Sequence, residues 1–520
     1  MAGRTHMTSI DWIKLAILLP LFGVGGPALG SFLRDKPQWQ KWVFGLMCFM
    51  TINGLFQAGN WGLTLASDET YRGHAKGFHF YFNHILAIAL ITVRLKEDPK
   101  AFRWVPPGGA WYAAYIAISL LSIINAPRVD YVIMAAHKMI FFGVLFIASF
   151  NWLTDTGRIQ FFMRVMAATL VWEAFIVLKM KYLNGIYQVH GTFEHQNPLS
   201  MYAVLIGMPL MAVAMGPEFR GRGLCLAGFV ASAVIVESAL SRASLVLFVV
   251  GAAMVTLTSL VEKPTVRRLS VIGVLGLVGT LGLMFTLNTI VGRFNDKGNQ
   301  ASSELRIVLN EIARQMVKDH PLGIGWNNYA LCVNRPFRYI EYLVEWNAGR
   351  GMQVDETQKS PPVESHYYLL LGENGWLGLA SYLLVIAVAL WRNIHGLLSF
   401  RHSFERCLCI GMISGCFLNY FQSTLERVLT QPRNLMLWLI LFGITGRLEV
   451  MRRERKSGIP VGALPVPADR PAPVLVARPA GRSFPWPGVL AAKQPSATAS
   501  ESRAMDWPTP LWTSVRHPET

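Results

Sequence analysis

Three polar stretches in this 520-residue chain have the residue types that group transfer needs, and each interrupts or adjoins an apolar run. The shortest is Ser241-Arg242-Ala243-Ser244, preceded by Glu237, inside what otherwise reads as two apolar helices. An ionisable side chain at membrane depth costs roughly 3 kcal/mol or more unless it is paired or hydrated, so it usually faces a cavity and works there. Arginine suits phosphate because its planar fork offers paired donors and stays charged. The alternative is a short hairpin turn closed by a Glu237 to Arg242 ion pair.

The second stretch is His190-Gly191-Thr192-Phe193-Glu194-His195-Gln196-Asn197-Pro198, at the mouth of an apolar run that begins near Leu199. Its polar side chains crowd a membrane boundary, as a site for a lipid-linked head group requires, or else they form a satisfied interfacial loop. The third runs from Arg293 to Ser365. Within it Leu305, Val308, Leu309, Ile312 and Met316 recur at spacings of three and four, so Ser302 to Lys318 is expected as an amphipathic helix lying at the membrane face. Arg306, Glu311 and Arg314 fall on its other sides. The stretch continues through His320-Pro321-Leu322-Gly323-Ile324-Gly325-Trp326 and closes at Glu364-Ser365-His366, where an apolar helix starts. An imidazole at that position can take a proton near neutral pH, or it can be structural. Asp355 and Glu356 are adjacent in a polar run and read as solvated, and no carboxylate cluster of the Asp-x-Asp kind is evident. The sequence therefore calls for no metal and no other cofactor.

The elements that must position these residues are membrane spans. The chain is 52% hydrophobic and 15% charged, against roughly 25% charged in soluble domains. Lys and Arg exceed Asp and Glu, 48 to 31, for a net charge of +17. That excess could mean nucleic acid, an anionic membrane surface or an anionic substrate, and the many apolar runs decide for a membrane. Charge-free runs near the roughly 20 residues that cross hydrocarbon predict an all-α polytopic membrane protein, a bundle of about 12–13 transmembrane helices. The first run reads as an anchor rather than a cleaved leader. Six cysteines, mostly inside apolar runs, do not suggest a disulfide framework or a zinc site.

If the spans alternate, the connections holding Arg34, Lys36 and Lys41, then Arg94 to Arg103, Lys263 to Arg268 and Arg392 to Arg406 share one side with Arg447 to Lys456. By the positive-inside rule that side is cytoplasmic. The three chemical stretches then share the opposite, periplasmic or extracellular, face. Residues 1–160 are expected as N-terminal transmembrane helices, 161–450 as the membrane core including a long periplasmic loop 293–365 with short amphipathic helices, and 451–520 as a basic then Pro/Ala-rich disordered cytoplasmic tail. Beyond Ser457 the chain holds 12 of its 28 prolines, a composition that cannot bury enough apolar area to fold.

The order Gly-Thr-Phe, His-x-Asn-Pro, Ser-Arg within a span, Arg306, then His-Pro-Leu-Gly-Ile-Gly-Trp, then His366 with Glu-x-Gly-x-x-Gly resembles the O-antigen ligase and polymerase superfamily over about residues 160 to 390. The resemblance implies a helical membrane bundle. It implies transfer of a glycan from undecaprenyl diphosphate to an acceptor hydroxyl on the periplasmic side of the bacterial inner membrane, without a metal. The acceptor would be a growing glycan, lipid A core or a protein. By the same resemblance Arg242 and Arg306 hold the diphosphate, His366 is base or orienter, and Thr192 and Asn197 orient the donor. His195 falls within the same donor-binding stretch. The arginine usual before Gly-Thr-Phe is absent, so His190, Lys181 or Arg293 is expected to replace it, and Tyr367 follows His366 where Asn is frequent. The reading from a different class is a polysaccharide exporter or lipid-linked glycan flippase. Such transporters commonly carry internal repeats with broken helices, and none is evident here.

Overall fold

A computed structural model describes residues 8–52, 62–262, 264–295, 298–334, 336–351 and 361–457. They fall in one compact unit, Met1–Leu464, and the second unit, Pro465–Thr520, lies outside the described residues, as does the tail expected to be disordered. Helix α1 (Ser9–Leu33) opens on a capping box, in which the Thr8 hydroxyl accepts from the Asp11 N–H at 3.2 Å and the Asp11 carboxylate accepts from the Thr8 N–H at 2.9 Å. There follow α2 (Pro37–Phe49), a two-stranded antiparallel ribbon of β1 (Gly62–Leu65) and β2 (Phe78–Tyr81), α3 (Phe82–Glu97) and α4 (Gly109–Asn125). Next come α5 (Val129–Trp152), α6 (Thr156–Leu183), α7 (Gln196–Met215), α8 (Arg222–Ala239) and α9 (Arg242–Glu262). Then α10 (Val266–Asn295), α11 (Gly298–Asp319), α12 (Ile340–Ala348), α13 (His366–Ser399), α14 (Phe404–Gln422) and α15 (Pro432–Lys456) complete the described chain.

The all-α polytopic expectation is met. Among the described residues eight helices are long and apolar enough to cross a membrane: α1, α5, α6, α7, α8, α9, α13 and α15. The other apolar runs counted toward the 12–13 expected spans fall on α2, α3, α4, α10 and α14. Three of the apolar runs form helices of only 13 to 17 residues, α2, α3 and α4. The apolar run that leads into α3 begins as a strand, because Phe78-His79-Phe80-Tyr81 pairs with β1 before the helix starts. Along α9 the side chains of Val249, Leu257 and Val261 point outward and are more than half exposed, as a lipid-facing wall requires.

Helix α7 sits at the centre, packed by α14, α8 and α9. Gly411 and Gly415 of α14, four residues apart, let its backbone lie against Leu205 and Pro209 of α7, and a Cβ at either glycine would run into that backbone. The basic connections collect at one end of the bundle as expected. There Glu262 receives Arg268 at 3.0 Å and Arg406 at 2.8 Å, Glu97 receives Arg94 at 2.6 Å, and Arg447 donates to the Thr154 carbonyl at 3.0 Å. The basic run Arg452 to Lys456 continues α15 instead of opening the tail, with Arg452 and Arg453 held by Glu449.

Candidate functional site

At the other end of the bundle two helices begin side by side. Helix α7 starts at Gln196, where the His195 ring nitrogen Nδ1 accepts the Asn197 N–H at 3.3 Å. Helix α9 starts at Arg242 after Leu240, which takes a left-handed conformation (φ 52°) to turn the chain sharply out of α8. The Ser200 hydroxyl donates to Ser244 at 2.9 Å and ties the two starts together. The hairpin reading is corrected in one respect: the Glu237 carboxylate goes to Lys181, at 3.3 Å, rather than closing the turn on Arg242. Both helix N-termini carry partial positive charge from unpaired backbone N–H groups.

A cavity of about 660 Å³ opens over these starts, lined on its polar side by His195, Gln196, Asn197, Ser241, Arg242, Arg306, Glu364, Gln422 and Glu426 and on its apolar side by Leu240, Val246, Leu247, Phe421 and Leu425. Arg306 reaches it from α11. Its Nε is ion-paired with Glu364 and its Nη2 donates to Glu426 Oε1 at 2.9 Å. The Asn197 side-chain amide donates to the same Glu426 oxygen at 2.8 Å. Burial pushes the Glu426 carboxyl up to about 7, the Glu364 charge adds to that, and Arg306, Arg427 and Asn197 oppose it. Burial also lowers the His195 imidazole, with Glu364 acting the other way.

The amphipathic helix expected over 302–318 is α11, but its apolar stripe does not lie on a bilayer. Leu309, Ile312 and Met316 pack with Ile324, Tyr329 and Leu369 in a small core of their own. The His-Pro-Leu-Gly-Ile-Gly-Trp turn completes that scaffold. Helix α13 is broken at Gly375 (φ 67°, ψ −169°), and the turn fills the break: Trp376 N–H donates to Pro321 O at 3.2 Å, and the Ile324 and Gly325 N–H groups donate to Gly372 O and Glu373 O at 3.0 and 3.1 Å. The turn is also fastened outward, through Asn327 to Ala75 and Asn328 to Arg128. In this way Arg306 and Glu364 are held across the cavity from α9.

The structure brings Arg242, Arg306, His195 and Asn197 into one cavity, and Thr192, His190 and His366 do not line it. Thr192 is gripped by Glu173, which accepts its N–H at 2.7 Å, and by Arg433 of α15, which bonds its carbonyl and its hydroxyl and lies over the Phe193 ring. Arg433, which the sequence reading did not offer, is thus a guanidinium held at the Gly-Thr-Phe turn. His190 pairs its Nδ1 with the Phe193 carbonyl oxygen at 2.6 Å. The Arg293 side chain lies outside the described residues, as do Asp355 and Glu356. His366 opens α13 as expected, and its N–H donates to Ser423 O at 2.9 Å, yet its ring is buried and does not line the cavity of Arg242 and Arg306. The ring lines a separate cavity of about 30 Å³ with His74, Lys138, Trp326, Tyr382 and Trp438.

Residues 227–383, from within α8 to within α13, match the family model described as O-antigen ligase. The chain carries an O-antigen ligase domain. The match spans Arg242, Arg306, Glu364 and His366, whereas His195, Asn197 and Glu426 reach the cavity from outside it. No curated protein matches the chain. With eight candidate spans, the O-antigen ligase domain makes this a multi-pass membrane protein of the glycosyltransferase type, acting in O-antigen or related polysaccharide biosynthesis.

Proposed function

We propose that the protein transfers a glycan from undecaprenyl diphosphate to an acceptor hydroxyl at the periplasmic face of the inner membrane, as an O-antigen ligase or a surface-polysaccharide polymerase. The observation that carries this reading is the pair Arg242 and Arg306, from different helices, on one cavity with a polar and an apolar side. An undecaprenyl diphosphate has the same two-sided character, an anionic head on a long apolar chain. When the glycan leaves, negative charge grows on the diphosphate oxygen. Fixed guanidinium groups and the N-termini of α7 and α9 stabilise that charge without reorganising, an effect worth about 10²- to 10³-fold in rate for a single donor. Asn197 and His195 border the same space and would orient the donor. The His366 backbone N–H, donated to the Ser423 carbonyl, ties the loop that carries Glu426 to the start of α13. The basic loops at the opposite end support a periplasmic cavity by the positive-inside rule.

The test is turnover by the purified protein in nanodiscs with a lipid-linked glycan and a hydroxyl acceptor, either another glycan, lipid A core or a protein. The expected products are glycosylated acceptor and free undecaprenyl diphosphate. A donor moved across the bilayer but chemically intact would make the protein an exporter or flippase instead.

A further inference from the structure

Beside the cavity of Arg242 and Arg306 lies a second one of about 220 Å³, lined by His195, Pro198, Glu364, Glu426, Arg427, Val428 and Gln431. The two share His195, Glu364 and Glu426, so these side chains form the wall between them. The smaller space is below the roughly 300 Å³ at which pockets for drug-sized ligands begin, and its lining mixes donors with acceptors. That suits one sugar ring, whose hydroxyls do both. We propose that this cavity is the acceptor subsite and that Glu426 is the catalytic residue that takes the proton from the acceptor hydroxyl, an inference that rests on the glycan-transfer reading above.

The geometry favours Glu426 over the other candidates. Its hydrogen bonds from Arg306 and Asn197 both fall on Oε1, which leaves Oε2 for an incoming hydroxyl. Glu364 faces the same two cavities and is also bound by Arg306, but its side chain is the more exposed, 37% against 20% for Glu426. His366 faces neither. The donor would also set the order of events. Diphosphate oxygens compete for the Arg306 fork that Glu364 and Glu426 now hold, so donor binding draws the guanidinium off Glu426 and frees it as a base. In the step itself the acceptor O–H proton moves to Glu426 and the oxygen bonds to the anomeric carbon. The bond from that carbon to the diphosphate oxygen breaks, and the electron pair stays on the diphosphate beside Arg242 and Arg306. The proton then leaves Glu426 to water.

The groups facing Glu426 are Glu364 ahead of α13, Arg306 on α11, Arg427 next to it, and His195 and Asn197 at the start of α7. With its carboxyl at about 7, Glu426 is protonated and inactive below neutrality and a competent base above it. The acid limb of kcat/KM, which reports the free enzyme, should therefore lie near pH 7.

The experiment compares wild type, Glu426→Gln, Glu426→Asp and Glu364→Gln in nanodiscs, scoring glycan transfer against pH and binding of undecaprenyl diphosphate. Glu426→Gln should lose about 10²- to 10⁴-fold in turnover while binding the diphosphate at least as well as wild type, since Arg306 loses a competitor. Glu426→Asp, which keeps a carboxylate, should transfer more than the Gln variant. Glu364→Gln should move the acid limb to lower pH, because it removes a charge that holds the proton on Glu426. The proposal is overturned by wild-type turnover in Glu426→Gln, by loss of diphosphate binding together with turnover, or by an unmoved limb in Glu364→Gln. A wild-type protein that transfers nothing would instead refute the glycan-transfer reading itself.

Discussion

Arg306 shows what one side chain's surroundings add to its type. From the sequence it is one of several charges on the polar side of an amphipathic helix, and only the fold reveals that two carboxylates hold its fork over a cavity. Arg242 was more legible, because an arginine between two apolar runs has few places to go. Glu426 was not: it stands beside Arg427 in a short connection, and nothing in its local pattern says that Arg306 and Asn197 will converge on it. Thr192, expected to orient the donor, does not line the cavity. Its N–H, hydroxyl and carbonyl are all engaged by Glu173 and Arg433. Thr192→Val should therefore cost about 1–3 kcal/mol of stability, the usual cost of leaving buried polar groups without a partner, with turnover per folded molecule unchanged. Thermal unfolding beside activity of the surviving fraction checks this, and unimpaired stability with lost transfer would return Thr192 to the donor site.

The long helices could be read from hydropathy because each needs a sustained apolar run, and α5 through α9 lie where those runs lie. Breaks inside helices were harder to see. Glycines are common in the apolar runs, and only the turn at 321–325 explains why Gly375 must leave helical geometry. That conformation is open essentially to glycine alone, and another residue there costs about 1–3 kcal/mol. A Cβ would also collide with the Pro321 carbonyl, and overpacking adds about 1–3 kcal/mol. Gly375→Ala is expected to lower the unfolding midpoint in detergent and to reduce transfer, because the turn fixes α11 and with it Arg306. An unchanged midpoint would show that α13 can pass this point as a regular helix. The amphipathic helix is a related case: periodicity located α11 but could not distinguish a bilayer from a protein core as the surface its stripe covers.

At the scale of the molecule, charge separates the two ends. Glu262, Glu97 and Glu449 gather arginines at one, while the cavity of Arg242 and Arg306 opens at the other. This division could be read from loop composition alone, since it depends on alternation of spans and not on their exact number. A periplasm-active reporter fused after Gly349 should be active and one fused after Ser399 inactive, and the opposite pattern would put the cavity in the cytoplasm. The central claim is that the two arginines hold the donor's diphosphate. It is tested most directly by titrating undecaprenyl diphosphate into nanodisc-embedded wild type, Arg242→Lys and Arg306→Lys. Lysine keeps the charge but not the fork, and a charge-assisted hydrogen bond is worth about 1.5–3 kcal/mol, so each variant should bind roughly 10- to 100-fold more weakly while still inserting into the membrane. Wild-type affinity in both variants would contradict the account.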